Sequence, residues 1–185
     1  MTWAITRLQE ALIDEMASDA TLVALTGDGV ETNAGVIHHI GQLLKESAMK
    51  GRLPYLAVSI PDTEPLLQSG GHLQVFKSEV EFVSFSKDEC VATTIGDRVQ
   101  ALVTASSIED CNRGFFDFTN SHVKVYSTEF AGRSPEEYDK VNEFYVDMVM
   151  VTLVWSPIPC DGEIVDPACA PCTNPGPDDY ECEDE

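Results

Sequence analysis

The stretch that most limits how this chain can fold is FYVDMVMVTLVW, residues 144–155. As a β-strand it places Phe144, Val146, Met148, Met150 and Val154 on one side and Tyr145, Val149, Val151, Leu153 and Trp155 on the other. A strand that is apolar on both faces belongs inside a sheet that is covered twice. Helices of the same chain can supply one cover. Loops, a second layer or a neighbouring subunit must supply the other. The stretch is too short to cross a bilayer, and Asp147 interrupts it.

Upstream, the periodicity alternates between helix and strand. Ile5, Leu8, Leu12 and Met16 recur at helical spacing, and Asp19 can cap a second short helix that Gly27 ends. The acids spread along this N-terminus fit an amphipathic helix and not a secretory signal, so folding in a cytoplasm is expected. Residues 28–51 give mixed signals: GVIHHI suits a short strand or bend, and GQLLKESAMKG one or two helical turns closed by Gly51. LPYLAVSI is expected as a short strand bounded by Pro54 and Pro61, with DTEPLLQSGGHL a loop.

Residues 74–84 form the clearest alternating strand, with Phe76, Val80 and Phe82 on one face and Glu79 and Glu81 on the other. A helix follows over 86–105, with Ser86 as expected N-cap and Val91, Ile95, Val99, Leu102 and Val103 as its buried stripe. HVKVYSTEF and VNEFYVDMVMVTLVW then read as a long hairpin joined by the turn AGRSPEEYDK. The expectation is an α+β domain over residues 1–155, with a small mixed or mainly antiparallel sheet and helices packed on one face. An extended C-terminal tail rich in Cys, Pro and acids follows, over residues 156–185.

Charge narrows the function classes. The chain carries a formal −21, and nine acids with no Lys or Arg lie after Trp155. Removing those nine from the 32 acids leaves 23 against 11 bases, so residues 1–155 still carry −12. Such a surface favours solubility, repels free nucleic acid and argues against sequence-specific DNA binding.

Motifs for catalysis are missing. TGDGVETNAG has glycines but no Lys-Ser/Thr pair. His38 and His39 are neighbours, a spacing that cannot place two ligands on one helix face. Cys90, in the first turn of an expected helix, has no identifiable base, and Cys111 stands in a loop beside Arg113. There is no GxSxG elbow.

The tail is the exception. Cys160, Cys169, Cys172 and Cys182 are spaced C-x8-C-x2-C-x9-C, and CAPC has the step of a zinc knuckle. No second C-x-x-C accompanies it, while six prolines keep the segment extended. Zinc, two disulfides and four free thiols stay open.

In the order of its elements the chain resembles the tail-terminator and tail-completion proteins of long-tailed phages and phage-like particles. The resemblance rests on LQEALIDEMASDATLVALTG, on LPYLAVSI, on VFKSEVEFVSFS running into DECVATTIGDRVQALVTA, and on the closing hairpin ending in DMVMVTLVW. It covers about four fifths of the chain; the long 28–51 stretch and the segment after Trp155 depart from the family pattern. The resemblance implies a non-enzymatic virion protein of the neck, assembled in the host cytoplasm. Copies of the chain would close into a homo-hexameric ring on the tail tube protein and offer a face to the head-completion or connector protein. Genome DNA would meet the ring only in passage. RGFFDF at 113–118 and the twice-apolar strand are candidate contact patches. A head-tail joining protein or tube subunit is the near alternative, and a small zinc-binding interaction module the distant one.

Overall fold

Ten elements follow one another in the computed structural model, which describes residues 2–32, 35–45, 48, 50–69, 73–104 and 123–158. They are α1 (Thr2–Ser18), α2 (Ala20–Thr26), β1 (Val30–Thr32), β2 (Gly35–Ile37), β3 (Ile40–Gln42), β4 (Tyr55–Ser69), β5 (Leu73–Ser86), α3 (Glu89–Thr104), β6 (Val123–Asp139) and β7 (Phe144–Pro157). β1 and β2 form a small antiparallel pair; the main sheet has the order β3-β4-β5-β7-β6. Only the β3–β4 pairing is parallel, so the fold is α+β with a mixed sheet and packed helices.

β7 lies between β5 and β6, as a strand with two apolar faces must. Val149, Val151, Leu153 and Trp155 are fully buried in the main core with Leu8, Leu12, Met16, Leu22, Ile95 and Val99 of the helices. The opposite face has a smaller core of its own. Tyr55, Ala57, Val83, Phe85 and Phe144 are buried there, with Val146 and Met148 packed alongside under Leu44 and Leu53. Among the described residues the second cover is therefore the loop between β3 and β4, and it reaches only half of the face.

Several boundaries differ from the sequence expectation, each for a physical reason. Residues 62–69, expected as loop, continue β4 past Pro61 and Pro65. Beyond Val58 no strand among the described residues pairs with the outer side of β4, so an outward proline forfeits no ladder bond. Register shifts between Ser59 and Asp62 and between Pro65 and Leu67 absorb the two rings. Most of the expected turn AGRSPEEYDK is likewise strand, because β6 runs to Asp139 across three register shifts. The turn itself is tight: Glu143 N donates to Asp139 O at 2.8 Å, and Glu143 takes φ 60°.

Gly41 and Gln42 complete β3 instead of opening a helix. Gly41 is required there, since a Cβ would lie 2.8 Å from the Tyr55 hydroxyl, which donates to Gln42 O. Ser86 ends β5, and the cap of α3 is Asp88, whose Oδ1 accepts from Cys90 N at 2.8 Å. Ser86 Oγ instead accepts from Asp88 N, holding the entry to the cap.

Asp19 caps α2 as expected, accepting from Leu22 N at 2.9 Å, and Gly27 closes the helix in the left-handed conformation. The same carboxylate receives Arg98 of α3 through Nε at 3.2 Å and Nη2 at 2.5 Å. Hydrogen bonding from Arg98, joined by the Leu22 amide against the cost of burial, holds the Asp19 carboxyl below its ordinary range. A lowered folded value stabilises the fold above the unfolded carboxylate value of about 3.9, and that contribution is lost as pH falls through the folded value. Asp19→Ala is expected to cost about 0.5–2 kcal/mol at neutral pH. Asp19→Asn, which keeps a cap acceptor, should flatten the acid limb of a stability-against-pH curve measured by urea melts.

Candidate assembly surfaces

Asp147, the one charge in the most apolar strand, is 1% exposed and points to the helix face. Arg133, directed to the same face from β6, donates through Nε at 3.0 and 3.1 Å to its two oxygens and through Nη2 to Oδ2. The guanidinium also reaches α3, with Nη1 2.5 Å from Asp97 Oδ1 and 3.2 Å from Gln100 Oε1, and Nη2 3.2 Å from Thr93 O. The paired carboxylates of Asp147 and Asp97 raise the Arg133 pKa further, so it remains a fixed cation.

Gly96 makes this approach possible. A Cβ there would overlap the Asp147 carboxylate and stand 2.9 Å from Arg133 Nη2. The result is a charged clamp joining the edge strand β6, the central strand β7 and α3.

The face of the sheet away from the helices divides in two. Its lower half is the small core around Phe85 and Phe144, capped by the β3–β4 loop. Its upper half is largely polar, and among the described residues no helix or loop covers it. Register places Asp62 opposite Glu79, Glu64 opposite Lys77, Glu79 opposite Thr152 and Thr152 opposite Glu129, with Glu81 opposite Met150. Five carboxylates thus surround the half-buried Met150 and Val154, and Lys77 is the cation among them, 3.6 Å from Glu64.

Exposed apolar side chains lie elsewhere: Leu43 on the covering loop, Val141 on the β6–β7 turn, Leu66 on β4, and Tyr126 and Phe130 on β6.

The sequence candidates fall unevenly on this structure. Cys160, Cys169, Cys172 and Cys182 lie outside the described residues, as do Cys111 and RGFFDF at 113–118. Cys90 is an exposed free thiol. His38 and His39 both meet Asp28: His38 Nδ1 is 3.7 Å from its carboxylate, and the His39 and Ile40 amides donate to it. Among the described residues no three His, Cys, Asp or Glu side chains are grouped to hold a metal ion.

The clamp was not anticipated, although a lone Asp in an apolar strand requires a buried partner. The acidic half-face was foreshadowed by the alternation of Glu79 and Glu81.

Truncating one partner of the clamp strands the other in the core. Arg133→Met is expected to cost about 3–5 kcal/mol, and Arg133→Met with Asp147→Leu to be more stable than Arg133→Met alone. Denaturation midpoints of the two variants decide this, and equal midpoints would show that the stranded carboxylate is not the source of the loss.

No family model matches the chain, and no curated protein matches it. Among solved structures it is similar to a chain from the virion of a native gene transfer agent particle, with a TM-score of 0.50 and 17% sequence identity. The alignment covers 80% of this chain and 94% of that one. At this identity the likeness is one of fold: nearly the whole of that virion chain shares the α+β architecture described above.

Proposed function

We propose that this chain is a structural protein of the virion neck in a long-tailed phage or phage-like particle. In this reading it closes as a homo-hexameric ring on the tail tube, ends tube polymerisation and presents a surface to the head-side connector. The carrying observation is the fold shared with the gene transfer agent virion chain over 94% of that chain. The resemblance of the sequence pattern to tail terminators supports it independently.

The charge agrees with the role. DNA has to cross a neck without being held, and a subunit whose first 155 residues carry −12 repels phosphates. The partners are then further copies of the chain, the tube protein and the connector protein. The tail after β7, with Cys160, Cys169, Cys172 and Cys182, is an appendix to the folded part in this reading.

Native mass spectrometry of the full-length protein tests the ring. A discrete hexamer is expected. Long open assemblies would identify a tube subunit instead, and a monomer holding one zinc would move the function to a metal-binding module. The same spectrum reports zinc or lost thiol hydrogens at the four cysteines. A chain ending after Ile158, one residue past β7, is expected to keep fold and ring; loss of the ring would make the tail part of the assembly machinery.

A further inference from the structure

A ring of identical subunits needs two different patches on each copy, one fitting the other on its neighbour. The acidic half-face is one such patch. It presents Asp62, Glu64, Glu79, Glu81 and Glu129 around Met150 and Val154. Among the described residues nothing packs on it.

The opposite end of the molecule reverses these features. The β3–β4 loop and the β6–β7 turn carry Lys45, Lys50, Arg52 and Lys140, all exposed and none in an ion pair among the described residues. The other described cations each have a local partner. Arg7 lies over Trp3 and Lys124 over Tyr126; Lys77 pairs with Glu64, Arg98 with Asp19, and Arg133 with Asp147. Lys87, exposed just after β5, is the exception and lies next to the acids of the α3 cap.

The loop and the start of β7 after the turn meet in the small core, where Leu44 and Leu53 of the loop pack against the cluster that holds Phe144. The acids at this end are Asp28, whose carboxylate accepts from the His39 and Ile40 amides where Arg52 donates to His38 O; Asp139, committed to Val141 N, Asn142 N and Asn142 Nδ2; the exposed Glu143; and Asp88 and Glu89 beside Lys87 at the α3 cap. Glu46 of the same loop lies outside the described residues. On the same two segments Val141 is 83% exposed and Leu43 51% exposed. Exposed apolar side chains and four cations without an ion pair among the described residues thus share one end of a chain whose net charge is −21.

We infer that the occupant of the acidic half-face is a second copy of this chain, seated by its Lys50/Arg52/Lys140 end with Val141 against Met150 and Val154. This rests on the ring reading above and supplies its contact. End against face is a heterologous contact, so every copy offers one free half of each pair until the ring closes. Complementary rims also disfavour the wrong pairings, face on face and end on end, by like-charge repulsion.

Two charge-reversed full-length proteins test it: Lys50→Glu/Arg52→Glu/Lys140→Glu, and Glu79→Lys/Glu81→Lys/Glu129→Lys. All six side chains lie on the surface or half-exposed, and unchanged melting curves check that both variants fold. Each alone is expected to need at least about tenfold higher concentration than the wild type to assemble, equivalent to about 1.4 kcal/mol. Mixed in equal amounts, they should restore assembly with alternating subunits, identified by mass, because both patches are then complementary at every contact. Wild-type rings that persist in both variants would overturn this contact and leave the ring reading standing. A monomeric wild type with association of the mixture would keep the contact and overturn the ring. No association in any sample overturns both.

Discussion

The arrangement of this molecule depends on one buried carboxylate. Asp147 is buried near the start of the strand that organises both cores, where an unpaired charge would be prohibitively costly. Arg133 pairs with it and in turn reaches Asp97 of α3, and Gly96 supplies the space without which α3 could not approach. Three distant stretches of sequence are thereby fixed at one point. α3 crosses the sheet at the height of Asp147, and β6, otherwise an edge strand held along one side, is tied to the helix layer as well.

Fixing β6 has a consequence on the other face. Residues of β6 alternate between the clamp side and the open side, so the anchoring of Arg133 also sets where Glu129 emerges beside Thr152. The acidic half-face is the reverse side of the same registered strands. Its lower neighbour, the Phe85–Phe144 core, depends on the β3–β4 loop, whose two ends are tied by Tyr55 donating to Gln42 O and by His39 Nδ1 against Pro54 O. Core, covering loop and open face are three outcomes of one strand register.

Much of this was legible in the sequence where periodicity is strong. The stripes of α1 and α3, the Asp19 and Gly27 caps, the alternation through Val80 and Phe82 and the two-faced β7 all reported local geometry that the fold retained. What misled was punctuation. Pro61, Pro65 and Gly132 signal turns in isolation, yet here they sit in strands that bulge around them, and whether a strand edge is free depends on tertiary placement. Ser86 was expected as the cap of α3, but β5 still pairs with β7 there, and the cap falls two residues later at Asp88. The clamp was invisible because its members are separated by 36 residues or more along two of its links. Of the candidate site, Glu79 and Glu81 could be assigned to the open face, whereas their companions from β4 and β6 came from segments read as loop and hairpin.

The control of the sheet edges bears on how such a subunit can associate. An exposed strand edge is the easiest surface for two copies to share, and it propagates without a natural stopping point. On one side β4 extends past its short partner β3 but carries Pro61 and Pro65 and the charges of Asp62 and Glu64. On the other, β6 is broken by register shifts at three places, which twist and interrupt its outer row of amides and carbonyls. Both edges are thus poor templates for strand addition. Association is left to side-chain surfaces, whose geometry can fix an angle between neighbours. In the ring reading proposed above, an assembly that stops at a set number of copies needs such an angle, and blunted edges leave the side-chain surfaces to set it.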